Sequence, residues 1–218
     1  TEATPRPFTS EQKLRLYGLA RRTWLYFEQF CGPEDNWLPP DNVQLGPEPV
    51  IAHRTSPTNI GLMLLSTMSA YDLGYVGAVD LSLRLRQTLP AMGNMQRYRG
   101  HLLNWYDTRS LQPLTPRYVS SVDSGNLVAA LIAVRQGCLR LLDEPIDPAA
   151  GLRGLADTLW VLEDVLLGAL PAGAPLTRAV AALRQRVAAG AASRERLADL
   201  AAYLASDAWP EVQRDLVA

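Results

Sequence analysis

"SPTNIGLMLLSTMSAYDLG", residues 56–74, opens with a serine in front of a proline and closes on a glycine. Ser56 is a candidate N-cap, and Pro57 suits the first helical position, where its missing N–H has no intrahelical partner to lose. Gly74 is a helix stop. The run is read as a helix, and the same reading extends in both directions. Upstream, "TSEQKLRLYGLARRTWLYFEQF" starts with Thr9 and Ser10 as cap candidates, and Gln12 lies three residues after Thr9, the spacing of a capping box. Leu14, Tyr17, Leu25 and Phe27 to Phe30 recur at roughly helical intervals, giving a helix over about 10–31 that stops at Gly32-Pro33. Downstream, a helix is predicted over about 76–93, and a long one from Ser121 or Asp123 to about Leu142. Beyond 145 the chain turns to Ala, Leu, Arg, Val and Glu, in amphipathic segments near 148–169, 174–189, 193–205 and 208–217. Few segments alternate as strands do.

This rhythm predicts an all-α fold of stacked α-hairpins, a partial (α/α) toroid-like arrangement with long loops at one end. One helical domain over 1–218 is expected, with a loop-rich, motif-bearing half (1–145) and an Ala/Leu/Arg-rich half (146–218). The 218 residues are ample for a core, and 48% apolar with 20% charged residues is a globular balance. A net charge of −1 gives no electrostatic grip on nucleic acid or anionic lipid. Cys31 and Cys138 lie in or beside apolar helical patterns, where free buried thiols are expected. His53 and His101 are not at metal-ligand spacing, so no metal site is predicted. No run of eighteen apolar residues and no signal peptide is present. A start at "TEATPRPFTSEQ" without Met reads as a processed or excised piece.

The chemistry concentrates in three loop segments that each precede a helix: "PDNVQ…HRTSPTNIG", "GHLLNWYDTRSLQPL" and "RYVSSVDSGNL". The loop over 32–56 holds Trp37, Leu38, Val43 and Leu45, and is expected to be ordered. The segments supply planar polar groups, hydroxyls and flat rings rather than one sign of charge. Sugar hydroxyls donate and accept at once, so paired Asn, Asp, Arg and Ser side chains suit them. The C–H face of a pyranose suits a Trp or Tyr ring. "NWYD", residues 104–107, sets two rings beside a carboxylate, and the three segments together read as a carbohydrate-facing wall. Simpler roles stand beside this one. Ser56, Ser121 or Asp123 can be caps, Trp105 and Tyr106 buried anchors, and Arg54 and Arg109 can pair with Asp41 or Asp107 to tie loops. Asp107 and Asp123 form a candidate catalytic pair, for which a glycosidase needs a set separation and one raised pKa. No phosphate-binding loop or nucleophile elbow surrounds these residues.

The same segments, "LPPDNVQ…PVIAHRTSPTNIGLMLLSTMSAYDLGYVG" and "RYRGHLLNWYDTRSLQPLTPRYVSSVDSGNLVAAL", resemble the central region of cyclic β-1,2-glucan synthases, over about residues 20–140. The resemblance implies a large bacterial parent in the inner membrane. Its glycosyltransferase module would extend a β-1,2-glucan chain from UDP-glucose. A glycoside-hydrolase-like module with a toroid of α-hairpins would cyclise it by transglycosylation, and a phosphorylase-like module would trim it. This chain then corresponds to the N-terminal part of the helical module, on the cytoplasmic side and without membrane contact of its own. It would have the remaining modules as partners, no cofactor of its own, and a tendency to self-associate through uncovered helix faces. Carried over residue by residue, Arg54, Thr55, Asn59, Asn104, Trp105, Tyr106, Asp107, Tyr118, Ser120, Ser121, Asp123, Ser124 and Asn126 are the expected glucan-facing or loop-holding residues. Trp105, Tyr106 and Asp107 are expected in contact, with Arg54 and Asn126 supporting. The family's glutamate motifs have no counterpart in the Ala-rich tail, so the chain by itself is expected to be inactive. The other reading is a non-catalytic carbohydrate-binding or scaffolding domain, and a purely structural helical module is the third.

Overall fold

In a computed structural model, which describes residues 7–147 and 149–204, helices dominate. They are α1 (Ser10–Phe30), α2 (Pro57–Asp72), α3 (Ala78–Asn94), α4 (Ser121–Asp143), α5 (Ala150–Ala169), α6 (Pro175–Gly190) and α7 (Arg194–Leu204). The helix expected at 208–217 lies outside the described residues. The start of α1 is a reciprocal capping box: Thr9 N–H donates to Gln12 Oε1 at 2.9 Å, and Gln12 N–H to Thr9 Oγ1 at 3.2 Å. Ser56 caps α2 by accepting from Asn59 N–H at 3.2 Å. Strand among the described residues is confined to two-residue pieces in the long connections: β1 (Val43–Gln44) with β2 (Val50–Ile51), β3 (Arg54–Thr55) with β6 (Tyr106–Asp107), and β4 (Arg97–Tyr98) with β5 (His101–Leu102), all antiparallel.

The chain forms two compact units that do not follow a single cut. One takes Trp24–Asp72 and Val76–Ile146; the other takes residues before 24, Leu73–Tyr75 and the chain after residue 146. In the first unit α2 and α4 run side by side in parallel. Asn126 Nδ2 donates to Thr58 Oγ1 at 3.1 Å near their starts, and Arg140 pairs with Asp72 near their ends. Gly61 lets them approach, since a Cβ there would sit 3.1 Å from Ala130 Cβ. Ile60, Met63, Leu64 and Met68 of α2 pack with Leu127 and Val134 of α4, Leu81, Leu85 and Met92 of α3, and Leu38, Leu102, Leu103 and Tyr106 from the loops. The connection after α1 is anchored at Leu38, which is fully buried in this core, whereas the expected anchor Leu45 is exposed. Among the described residues only α4 is long and apolar enough to cross a membrane by length and composition.

In the second unit Leu159 of α5, Val180, Leu183 and Val187 of α6 and Leu200 of α7 form a separate core. Arg184 Nε donates to Glu163 Oε2 at 2.8 Å across the α5–α6 hairpin. Gly74, the expected stop after α2, has φ +77°, and its peptide lies against the start of α5: a Cβ on Gly154 would be 2.2 Å from Gly74 O.

Candidate functional site

All three polar segments belong to the first unit, and the fold brings them together. Because α2 and α4 are parallel, their N-termini share one end of the pair. There the β3–β6 ladder joins the "HRTS" segment to "NWYD" with Arg54 opposite Asp107 and Thr55 opposite Tyr106. The segment before α4 is tied in by Asn104 N–H, which donates to Tyr118 O at 2.8 Å.

Buried Asn104 is the hub. With its amide nitrogen turned to the carboxylate, it donates to Asp123 Oδ2 at 3.1 Å and accepts from Trp105 Nε1 at 2.7 Å and from the Tyr118 hydroxyl at 2.8 Å. Burial pushes the Asp123 carboxyl up, yet hydrogen bonds from Ser120 and from the Thr58 hydroxyl and backbone outweigh it and hold the pKa below the ordinary carboxylate value. Ser120, rather than Ser121 or Asp123, is the α4 cap; its Oγ accepts from Asp123 N–H at 3.2 Å. A second hub is Asp41. Its Oδ2 accepts from Arg54 Nε and Nη2 at 3.1 and 2.8 Å, and its Oδ1 accepts from Asn59 Nδ2 at 3.3 Å. The Arg54 guanidinium lies 5.0 Å from the centroid of the half-buried Trp105 ring. Trp105 is thus fixed at its nitrogen by Asn104 and over its ring by Arg54.

Other expected contacts fall elsewhere. Tyr106 is fully buried, accepting from Leu103 N–H at 2.6 Å and donating to Gln96 O, so it is a core anchor and cannot touch sugar. Strand alternation separates Tyr106 from Asp107: the two residues of β6 face opposite ways, one buried and the other half-buried. Thr55 is likewise fully buried, with no hydrogen-bond partner for its hydroxyl among the described residues. Asp107 caps its own turn, its Oδ1 accepting from Ser110 N–H at 2.7 Å, Ser110 Oγ at 2.8 Å and Arg109 N–H at 3.1 Å. These bonds, led by Ser110 N–H, hold its carboxyl below the ordinary range. Neither Asp107 nor Asp123 has the raised pKa of a proton donor. Ser124 is half-buried with an unpartnered hydroxyl, while Ser121 and Asn126 are exposed.

One cluster was not anticipated. Buried Asp35 accepts from Thr108 Oγ1 and lies 2.8 Å from His53 Nδ1, while Arg109 Nη2 donates to His53 Nε2 at 2.9 Å. Asn36 Nδ2 closes the knot by donating to Thr108 O and Arg109 O, both at 2.8 Å. An Asp–His pair of this kind fixes a tautomer, but here the far nitrogen meets a guanidinium instead of a nucleophile, so it joins loops. Arg54 therefore pairs with Asp41 as one reading anticipated, whereas Arg109 turns to His53. Cys31 and Cys138 are free thiols, and burial pushes Cys31 up to about 12, which leaves it unreactive.

No protein-family model matches the chain. Over 149 residues, 68% of its length, it is 52% identical to the cyclic β-(1,2)-glucan synthase NdvB of Rhizobium meliloti (strain 1021), of which it spans only 5%. A crystal structure of a protein assigned as a glucoamylase, from Bacteroides fragilis NCTC 9343, superimposes with a TM-score of 0.50 at 17% identity, over 62% of this chain and 33% of that one. A second, from Bacteroides caccae ATCC 43185, covers 82% of this chain and 36% of that one at 14% identity, with a TM-score of only 0.39. The chain is thus a relative of cyclic β-(1,2)-glucan synthase, similar to a short segment of that enzyme and built on a helical fold of the glucoamylase kind.

Proposed function

We propose that this chain supplies part of the glucan-binding wall of a helical module that cyclises β-1,2-glucan by transglycosylation. In this reading the parent is a bacterial membrane synthase, with this part facing the cytoplasm and working alongside the other modules. The observation that supports it is the meeting of Trp105, Asn104, Arg54, Asp41, Asn59 and Asp123 at the shared N-terminal end of α2 and α4. A ring held from two sides, ringed by paired carboxylates and amides, suits a saccharide, because little ordering entropy remains to be lost on binding. Asp123 orients hydroxyls as an ionised acceptor, and proton transfer to a leaving sugar falls to residues outside this chain. That division favours binding without chemistry for the chain by itself.

Titration of linear β-1,2-glucan against the chain, followed by tryptophan fluorescence, tests the reading. Saturable binding is expected, weakened at least tenfold by Trp105→Ala and by Arg54→Ala, with no product formed. Unchanged affinity in both variants would remove the wall. Conversion of the glucan by the chain alone would overturn the division of labour.

A further inference from the structure

Beside the glucan-facing cluster lies a cleft of about 320 Å³, lined by Gln96, Arg97, Tyr98, Leu103, Arg117, Tyr118 and Val119. It sits between the β4–β5 hairpin and the segment leading into α4. Leu103 is buried, while Tyr98 and Tyr118 are 56% and 46% exposed as residues. No carboxylate lines it. Arg97 spends one nitrogen on Met92 O at 3.3 Å, and Arg99 lies over the Tyr98 ring at 5.4 Å. Arg117 has no hydrogen-bond or ion-pair partner among the described residues. Exposed, hydrated guanidiniums with no carboxylate beside them, next to exposed aromatic rings, suit a ligand with both an anionic group and a ring.

We infer that this cleft is a second ligand site, separate from the glucan wall, that takes a phosphorylated monosaccharide. Its phosphate meets the Arg117 and Arg97 guanidiniums, and its sugar ring lies against Tyr98 or Tyr118. The volume is at the lower end of the roughly 300–1,000 Å³ typical of small-molecule pockets, enough for one sugar unit and too small for an oligosaccharide. Tyr118 gives the site a connection: its ring lines the cleft while its hydroxyl is bonded to Asn104. Occupancy of the cleft therefore bears on the residue that positions Trp105 and Asp123.

Calorimetric titration with glucose 6-phosphate, glucose and inorganic phosphate, each used separately, tests the site. Glucose 6-phosphate is expected to bind, at least tenfold more tightly than either of the others and more weakly as salt is raised. Arg117→Ala is expected to reduce that affinity at least tenfold; since Arg117 bonds to nothing here, its helical circular dichroism should match the parent chain. Absence of glucose 6-phosphate binding, or equal affinity in Arg117→Ala, would overturn the site. Equal affinity for inorganic phosphate would overturn the ring-bearing ligand, and equal affinity for glucose the anionic one. The inference does not rest on the glucan reading. Glucose 6-phosphate binding that survives Trp105→Ala, in a chain that ignores β-1,2-glucan, leaves the cleft standing and the wall fallen.

Discussion

Asp123 shows how a single side chain joins folding to recognition. Its carboxylate accepts hydrogen bonds from Ser120, Thr58 and Asn104, which favour the charged form over the opposing effect of burial. Since its folded pKa lies below the unfolded value of about 3.9, the stability it adds is fully present above that value and disappears as pH falls through the folded pKa. Asp123→Asn turns an amide toward three donors, and is expected to cost about 1–2 kcal/mol near neutral pH. Thermal melts from pH 7 down to pH 2 should show the gap between parent and variant closing below about pH 4. A gap that stays constant to the lowest pH would mean the carboxylate charge contributes nothing. The identity of such a residue was legible in "YVSSVDSGN"; its environment was not. Tyr106 and Trp105 make the same point, being neighbours in sequence and opposite in fate. Tyr106 goes inward at the start of a two-residue strand, too short to leave a pattern, and Trp105 lies just outside it.

At the scale of elements, helices were readable because each carries many repeats of one period, with its own start and stop: Thr9 and Gln12 for α1, Ser56 and Pro57 for α2, Gly74 after α2. The ladders that gather the site were not. β3 and β6 pair residues about fifty positions apart, and the Asp35–His53–Arg109 cluster spans more than seventy, so no local window holds both halves. The start of α4 lies between these cases. Two serines and an aspartate crowd the position, and only the backbone decides that Ser120 is the cap, with φ −93° and ψ 123°. Ser120→Ala should cost about 1 kcal/mol in denaturant unfolding, from the lost cap. The exposed Ser121→Ala should stay within about 0.5 kcal/mol of the parent. Equal effects, or a reversal, would assign the cap wrongly.

On the whole molecule, α4 presents an apolar stripe away from its α2 contact. Val128, Ile132, Leu139 and Leu142 are all exposed and recur at helical spacing, interrupted by Arg135. Scattered exposed apolar side chains are ordinary, whereas a contiguous stripe is an association surface. The helix has the length and composition of a membrane span, but Arg135 falls inside the stripe, and Leu127, Ala130 and Val134 already pack on the opposite side. Placing that charge in a bilayer core costs about 2.5–3.5 kcal/mol on insertion scales. A second copy of the chain offers the same stripe, and self-pairing would not require Arg135 to leave water. Sedimentation velocity over rising concentration should show reversible association that the double substitution Val128→Lys, Ile132→Glu suppresses, with helix content unchanged. Both positions are exposed, so the substitutions remove no core contact. A parent chain that stays monomeric throughout would show the stripe to be too short or too broken by Arg135 to hold a partner.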